Sequence, residues 1–185
     1  MTAGAVLMDH LERFLGEFSG RGTAEPEWNV PFSVLQFDDV PEREVTTLVT
    51  FGISNHLLVG SDEGERRQEV LLSMRKQYDD VSVEIAVSIG AYLVDRHVAL
   101  LEGETVAIPA ELRGSLDRLV VARPDHIDSG LARCEGFQPP VDVLWLLPFA
   151  PDESHVAIEH GWRDLLAWLR SSEADPYDLR RPSLV

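Results

Sequence analysis

At 185 residues the chain has the length of one domain, and 44% hydrophobic with 26% charged residues suits a globular protein whose core needs no staple. Asp and Glu number 32 against 16 Lys and Arg, and the formal net charge of -16 repels phosphate backbones and anionic lipid, so neither nucleic acid nor membrane is an expected partner. One cysteine, Cys134, can form no internal bridge, and no apolar run approaches the roughly 20 residues of a membrane span, so a reducing, cytoplasmic setting is expected.

The N-terminal MTAGAVLMDHLERF has no basic leader and reaches Asp9 and Glu12 too early for a signal peptide. Val6, Leu7, His10, Leu11, Phe14, Leu15 and Phe18 recur at helical spacing opposite Asp9, Glu12, Arg13 and Glu17, which predicts an amphipathic helix over 5–18. Glycine and proline in SGRGTAEPE (19–27) end it. FSVLQFDD (32–39) and TTLVTFGIS (46–54) read as strands, the second central because both its faces carry apolar residues. VGSDEGERR (59–67) is a turn with a solvated acidic tip. QEVLLSMR (68–75) resumes the alternation and should lie antiparallel to the strand before it.

Residues 79–101 carry the longest helical pattern, through Val81, Ile85, Ile89, Tyr92 and Leu93, with Asp79 or Asp80 available to cap it. Gly90 costs a helix about 1 kcal/mol relative to alanine, which implies close packing at that point. A connection with a short strand over 102–112, a strand over 116–124 and a loop over 124–140 follow. VDVLWLLPF (141–149) is a buried strand with Val141, Val143, Trp145 and Leu147 on one face and Leu144 and Leu146 on the other. Two helices flank His160-Gly161, the second carrying Trp162, Leu165, Leu166, Trp168 and Leu169. Strands and helices do not alternate strictly, so the expected class is α+β: one compact domain over 1–185, its sheet mixed or mainly antiparallel. Trp28, Trp145 and Trp162 belong to the core or its rim.

Three constellations invite a chemical reading. Gly52-Ile53-Ser54-Asn55-His56 lacks the second glycine of a nucleophile elbow, and a histidine two residues along an extended chain does not approach as a triad base does. His155 and His160 with Glu159 resemble a zinc pair, but histidines five apart stand about 140° apart around a helix rather than on one face. Cys134 stands between Arg133 and Glu135 with no histidine implied as partner. No catalytic group, metal or cofactor is therefore expected; a metal-dependent hydrolase using His155, Glu159 and His160 is the enzymatic alternative. Asp62, Glu63 and Glu65, with Glu69 just beyond, are the candidate contacts for a basic protein partner.

The segments TTLVTFGIS, RQEVLLSM, LLEGETV, VDVLWLLPFAPDE, EHGWRDLLAWL and DLRRPSLV follow one another in an order and spacing that resemble the suppressor of fused domain family, from about Trp28 to Val185. That resemblance implies a compact α+β domain without an established active site, preceded here by an N-terminal helix and linker over 1–27. Animal members are two-part proteins that hold a Gli-class transcription factor through an extended peptide, and this chain is similar to their first part. Bacterial single-domain members are associated with polymorphic toxin systems as immunity proteins. The expected function is that of a non-enzymatic binding module neutralising a cognate basic toxin, or else a regulatory scaffold for another protein.

Overall fold

The computed structural model describes residues 2–19, 22–23 and 29–185. Among the described residues four α-helices, α1 (Ala3–Leu15), α2 (Asp79–Arg96), α3 (Pro151–His160) and α4 (Trp162–Ser171), accompany nine strands. These are β1 (Gly22–Thr23), β2 (Ser33–Asp38), β3 (Val45–Phe51), β4 (Leu58–Val59), β5 (Glu65–Arg75), β6 (Thr105–Ala107), β7 (Arg118–Ala122), β8 (Arg133–Cys134) and β9 (Val141–Phe149). The strands run in the order β1-β2-β3-β5-β9-β7-β6, with β4 alongside β5 and β8 alongside β9. β5 and β9 pair in parallel, and the other strand pairs are antiparallel. The class is α+β with a mixed sheet, and β3 and β5 pair antiparallel as their sequences predict.

Period-two alternation sends each strand's side chains to two opposite cores. Leu144 and Leu146 join Leu48, Val70, Leu72, Met74 and Val121 under α2. Val141, Val143, Trp145, Leu147 and Phe149 face Leu7, Leu11 and Leu15 of α1 and Leu165, Leu166 and Leu169 of α4. The sheet is thus covered by α2 on one side and by α1 with α4 on the other. Gly90 of α2 has the tight neighbours its cost implies: a Cβ there would lie 2.5 Å from the Phe32 ring and 2.9 Å from Ile53 Cδ1.

Several boundaries differ from the sequence expectations. The 79–101 helix stops at Arg96, where His97 turns left-handed at φ 53°, and Val98 then bridges to Val59. Tyr78 holds its N-cap position, so Asp79 and Asp80 act within the first turn, where carboxylates complement the helix dipole. The 124–140 segment is not all loop: a 3₁₀ turn spans Ser129–Ala132 and β8 follows, so Cys134 is a buried strand residue. β5 begins at Glu65, inside the segment assigned to the turn. Trp145 is in the core and Trp162 on its rim, whereas Trp28 lies outside the described residues. The connection 19–27 also lies largely outside them, apart from Ser19 and the two residues of β1.

Candidate functional site

The acidic segment 61–69 divides when it folds. Asp62 is the turn's own clasp: its carboxylate accepts the Gly64 N–H at 3.1 Å and pairs with the Arg66 guanidinium. Glu63, left-handed at φ 63°, and Glu65 are exposed. Glu69 does not belong with them. It is fully buried, so the expectation that it contacts a partner alongside the tip is corrected by its position one turn of pleat inside β5.

Glu69 instead organises the TFGIS stretch. Its Oε1 accepts the Gly52 N–H at 2.8 Å, the Ser54 N–H at 3.1 Å and the Ser54 hydroxyl at 2.7 Å, while Oε2 accepts the Thr50 hydroxyl at 2.7 Å. Burial outweighs these four bonds and holds the carboxyl above the usual glutamate range. Ser54, 3% exposed, spends its proton on a carboxylate and is no nucleophile. What looked like the end of a strand beside a histidine is a loop tied down from below.

A second serine–histidine contact escapes the sequence because its members lie far apart. Ser73 Oγ is 3.2 Å from His126 Nε2, and the imidazole stacks on Trp145 with ring centroids 3.7 Å apart. Ser73 is 1% exposed and His126 Nδ1 has no partner, so neither a path for substrate nor an orienting acid is present. Desolvation, with Arg170 nearby, lowers the His126 pKa to about 3. His155 and His160 are exposed on α3, and the His160 ring is 3.9 Å from Glu159. Among the described residues no group of three or more His, Cys, Asp or Glu side chains is placed to hold a metal ion. Burial pushes the Cys134 thiol up, which makes it a poor nucleophile.

A larger open feature lies elsewhere. Beside the acidic tip is a groove of about 870 Å³, walled by Ser88, Ile89 and Tyr92 of α2, floored by Ala99 and Leu100, and bounded by β6. Val59, Gly60 and Ser61, the root of the tip, form its end. Tyr92 is 50% exposed and Val59 is exposed with it. The helical phase places Tyr92 with the buried residues, but α2 is covered nearly all round and this ring instead stands over the groove.

β6 is the last strand on its side of the sheet. Val121 N–H donates to Glu104 O at 2.9 Å and Ile108 N–H to Asp117 O at 2.9 Å, so alternate peptide groups, those of Glu104, Val106 and Ile108, turn toward β7. Thr105 and Ala107 therefore present theirs to the open edge. Glu104, lining the groove, accepts the Ser61 hydroxyl at 2.7 Å and the Leu101 N–H at 2.9 Å. Glu84 stands one helical turn before Ser88 and Asp95 just beyond Tyr92, both exposed. An apolar slot, an open strand edge and the Glu104 carboxylate meet in one place, with Glu84 and Asp95 exposed on the helix that walls it.

The family profile described as Suppressor of fused protein (SUFU) matches residues 29–182. The chain belongs to the suppressor of fused family. It is 21% identical over 178 residues to the protein named Immunity protein YqcF of Bacillus subtilis (strain 168), covering 92% of this chain and 93% of that one. The crystal structure of a SUFU homolog from Neisseria gonorrhoeae FA 1090 superposes with a TM-score of 0.71 at 19% identity, covering 98% of this chain and 96% of that one. A chain in the crystal structure of the Sufu-Fu complex superposes at 0.68 and 18% identity over 91% of this chain and 84% of its own length. At these identities the superpositions establish the fold.

The stretches that carry the family resemblance now have physical roles. TFGIS supplies the donors around Glu69. DLRRP and PFAPDE meet in a buried ion pair: Arg181 donates to Glu153 at 2.5 and 2.9 Å and to Pro148 O at 3.2 Å. The same carboxylate accepts the Ala150 and Leu184 N–H groups at 2.8 and 2.9 Å. α1 precedes the matched span, yet its leucines are part of the core.

Proposed function

We propose that this suppressor of fused protein is a non-enzymatic binding module that neutralises a cognate toxin, and that it takes an extended basic segment of that toxin along β6. The observation that carries the reading is the open edge of β6 beside an apolar groove that Glu104 lines. An added strand gains main-chain hydrogen bonds at Thr105 and Ala107, and its alternate side chains drop into the slot beside Tyr92. The occupant is basic because Glu104 lines the slot, Glu84 and Asp95 are exposed on α2 on either side of Ser88 and Tyr92, and the whole chain carries -16. A second copy of the same acidic surface is disfavoured by like-charge repulsion. The name of the Bacillus relative supports the toxin reading. The Sufu-Fu complex favours the second reading, a regulatory scaffold bound to a protein that is no toxin.

Purification from the native host at low salt should recover one dominant basic protein, and growth arrest by that protein should be relieved on co-expression. Ala107→Pro removes an edge donor without touching the β6–β7 ladder and should abolish capture, as should Tyr92→Asp. Reversing Asp62, Glu63 and Glu65 to lysine should weaken capture and flatten its dependence on salt, and the exposed pair Glu63 and Glu65 reversed alone should do the same with little change in melting temperature. Capture that survives both Ala107→Pro and Tyr92→Asp would place the interface elsewhere. A captured partner that never arrests growth would leave the scaffold reading.

A further inference from the structure

We propose that Trp162, which lies outside the groove, is its positioning residue: it holds the turn Leu101–Glu104 in the shape that lets β6 and Glu104 receive a partner. The inference rests on the groove reading above. Gly103 adopts φ +92°, a conformation in which glycine has no rival, and its backbone is pressed against the indole. A Cβ on Gly103 would lie 2.8 Å from Trp162 Cδ1 and 2.9 Å from Nε1. The Arg163 guanidinium lies 5.2 Å from the indole's ring centroid, and Arg163 Nη2 donates to Glu102 Oε1 at 3.1 Å. The first two residues of α4 thus each contact the turn that leads into the sheet edge, Trp162 at Gly103 and Arg163 at Glu102.

What the grip controls follows from the turn's own bonds. Gly103 N–H donates to Val121 O at 2.8 Å, and Glu104 N–H to Leu101 O at 3.0 Å. Glu104 then reaches Ser61 at the root of the acidic tip. Without the indole, a glycine with a free left-handed conformation stands alone at the junction between β6 and the groove floor. The turn then populates other conformations, and affinity falls by the fraction of molecules that keep the receptive one.

The test uses the full chain and a fluorescein-labelled heptapeptide in which lysine alternates with valine and leucine, read by anisotropy, together with amide hydrogen exchange at Gly103 and Val121. Trp162→Ala should weaken peptide binding about tenfold, corresponding to a receptive fraction of about one tenth, and should speed exchange at those two amides. Trp162→Phe, which keeps an aromatic plate over Gly103, should recover most of both. Leu11→Ala, which costs stability in the core that α1 and α4 share but leaves the indole over Gly103, should change neither. Wild-type protein that binds the peptide while Trp162→Ala binds it equally well, with unaltered exchange, overturns the inference and leaves the groove reading standing. An equal loss in Leu11→Ala also overturns it, because general loosening would then suffice. Wild-type protein with no affinity for the peptide brings down both.

Discussion

His126 should make this protein sensitive to mild acid, and replacing it should remove that sensitivity. The ring is mostly buried against Trp145, and its pKa lies at about 3 instead of the ordinary 6.5. Between those values the unfolded chain binds a proton that the folded chain refuses, so stability falls as pH drops below about 6.5. At about pH 5 the difference amounts to roughly 2 kcal/mol relative to pH 7.5, obtained from the two protonation equilibria. Glu69, Asp79 and Asp142 are pushed the other way by burial, so they favour the folded state as pH falls, and comparison with a variant is needed to cancel them. His126→Phe keeps the stack on Trp145, and Ser73 keeps Thr47 as a partner at 2.8 Å. It also removes Nδ1, a buried nitrogen with no partner. Urea unfolding at pH 7.5 should therefore give closely similar stabilities, and at pH 5 the variant should be the more stable by roughly 2 kcal/mol. Two curves that fall in parallel between those pH values would refute the argument.

Gly90→Ala should destabilise the protein although alanine is the better helix former, because overpacking against Phe32 and Ile53 costs about 1–3 kcal/mol; a raised urea midpoint would contradict it. Arg181→Ala leaves Glu153 charged, buried and without its cation, at a cost of about 3–5 kcal/mol, or very roughly 8–15 °C in melting temperature for a chain of this size. Calorimetry should show that loss reduced when Glu153→Gln is added. Glu69→Ala strands four buried donors and should cost about 3 kcal/mol or more, whereas Glu69→Gln, able to keep the three bonds to Oε1, should cost far less by urea unfolding.

Much of the fold is legible where local pattern and tertiary burial agree. In β9 the alternation of Trp145 and Leu147 with Leu144 and Leu146 assigns both faces of a central strand correctly. β8 is two residues long and held by β9 alone, so it leaves no periodic trace. Glu69 looks like an extension of an acidic tip because charge is visible in a sequence and burial is not. The clue was its place directly before the apolar run Val70-Leu71-Leu72, opposite a stretch rich in small donors. Tyr92 keeps the helical phase of the core and yet is exposed, since phase gives a direction and says nothing of what fills it. The groove itself was not legible: the tip, the α2 face and the β6 edge come from three separate segments, and Trp162 reaches the turn beneath from a fourth.

The ion pair between Arg181 and Glu153 also bears on how the molecule is made. Glu153 lies in the first turn of α3 while Arg181 follows α4, so during synthesis the carboxylate emerges before the guanidinium that neutralises it. Closure of that part of the core therefore waits on a residue 28 positions further along the chain, and a fragment that stops short of Arg181 has to bury Glu153 without its cation or leave the start of α3 open to water.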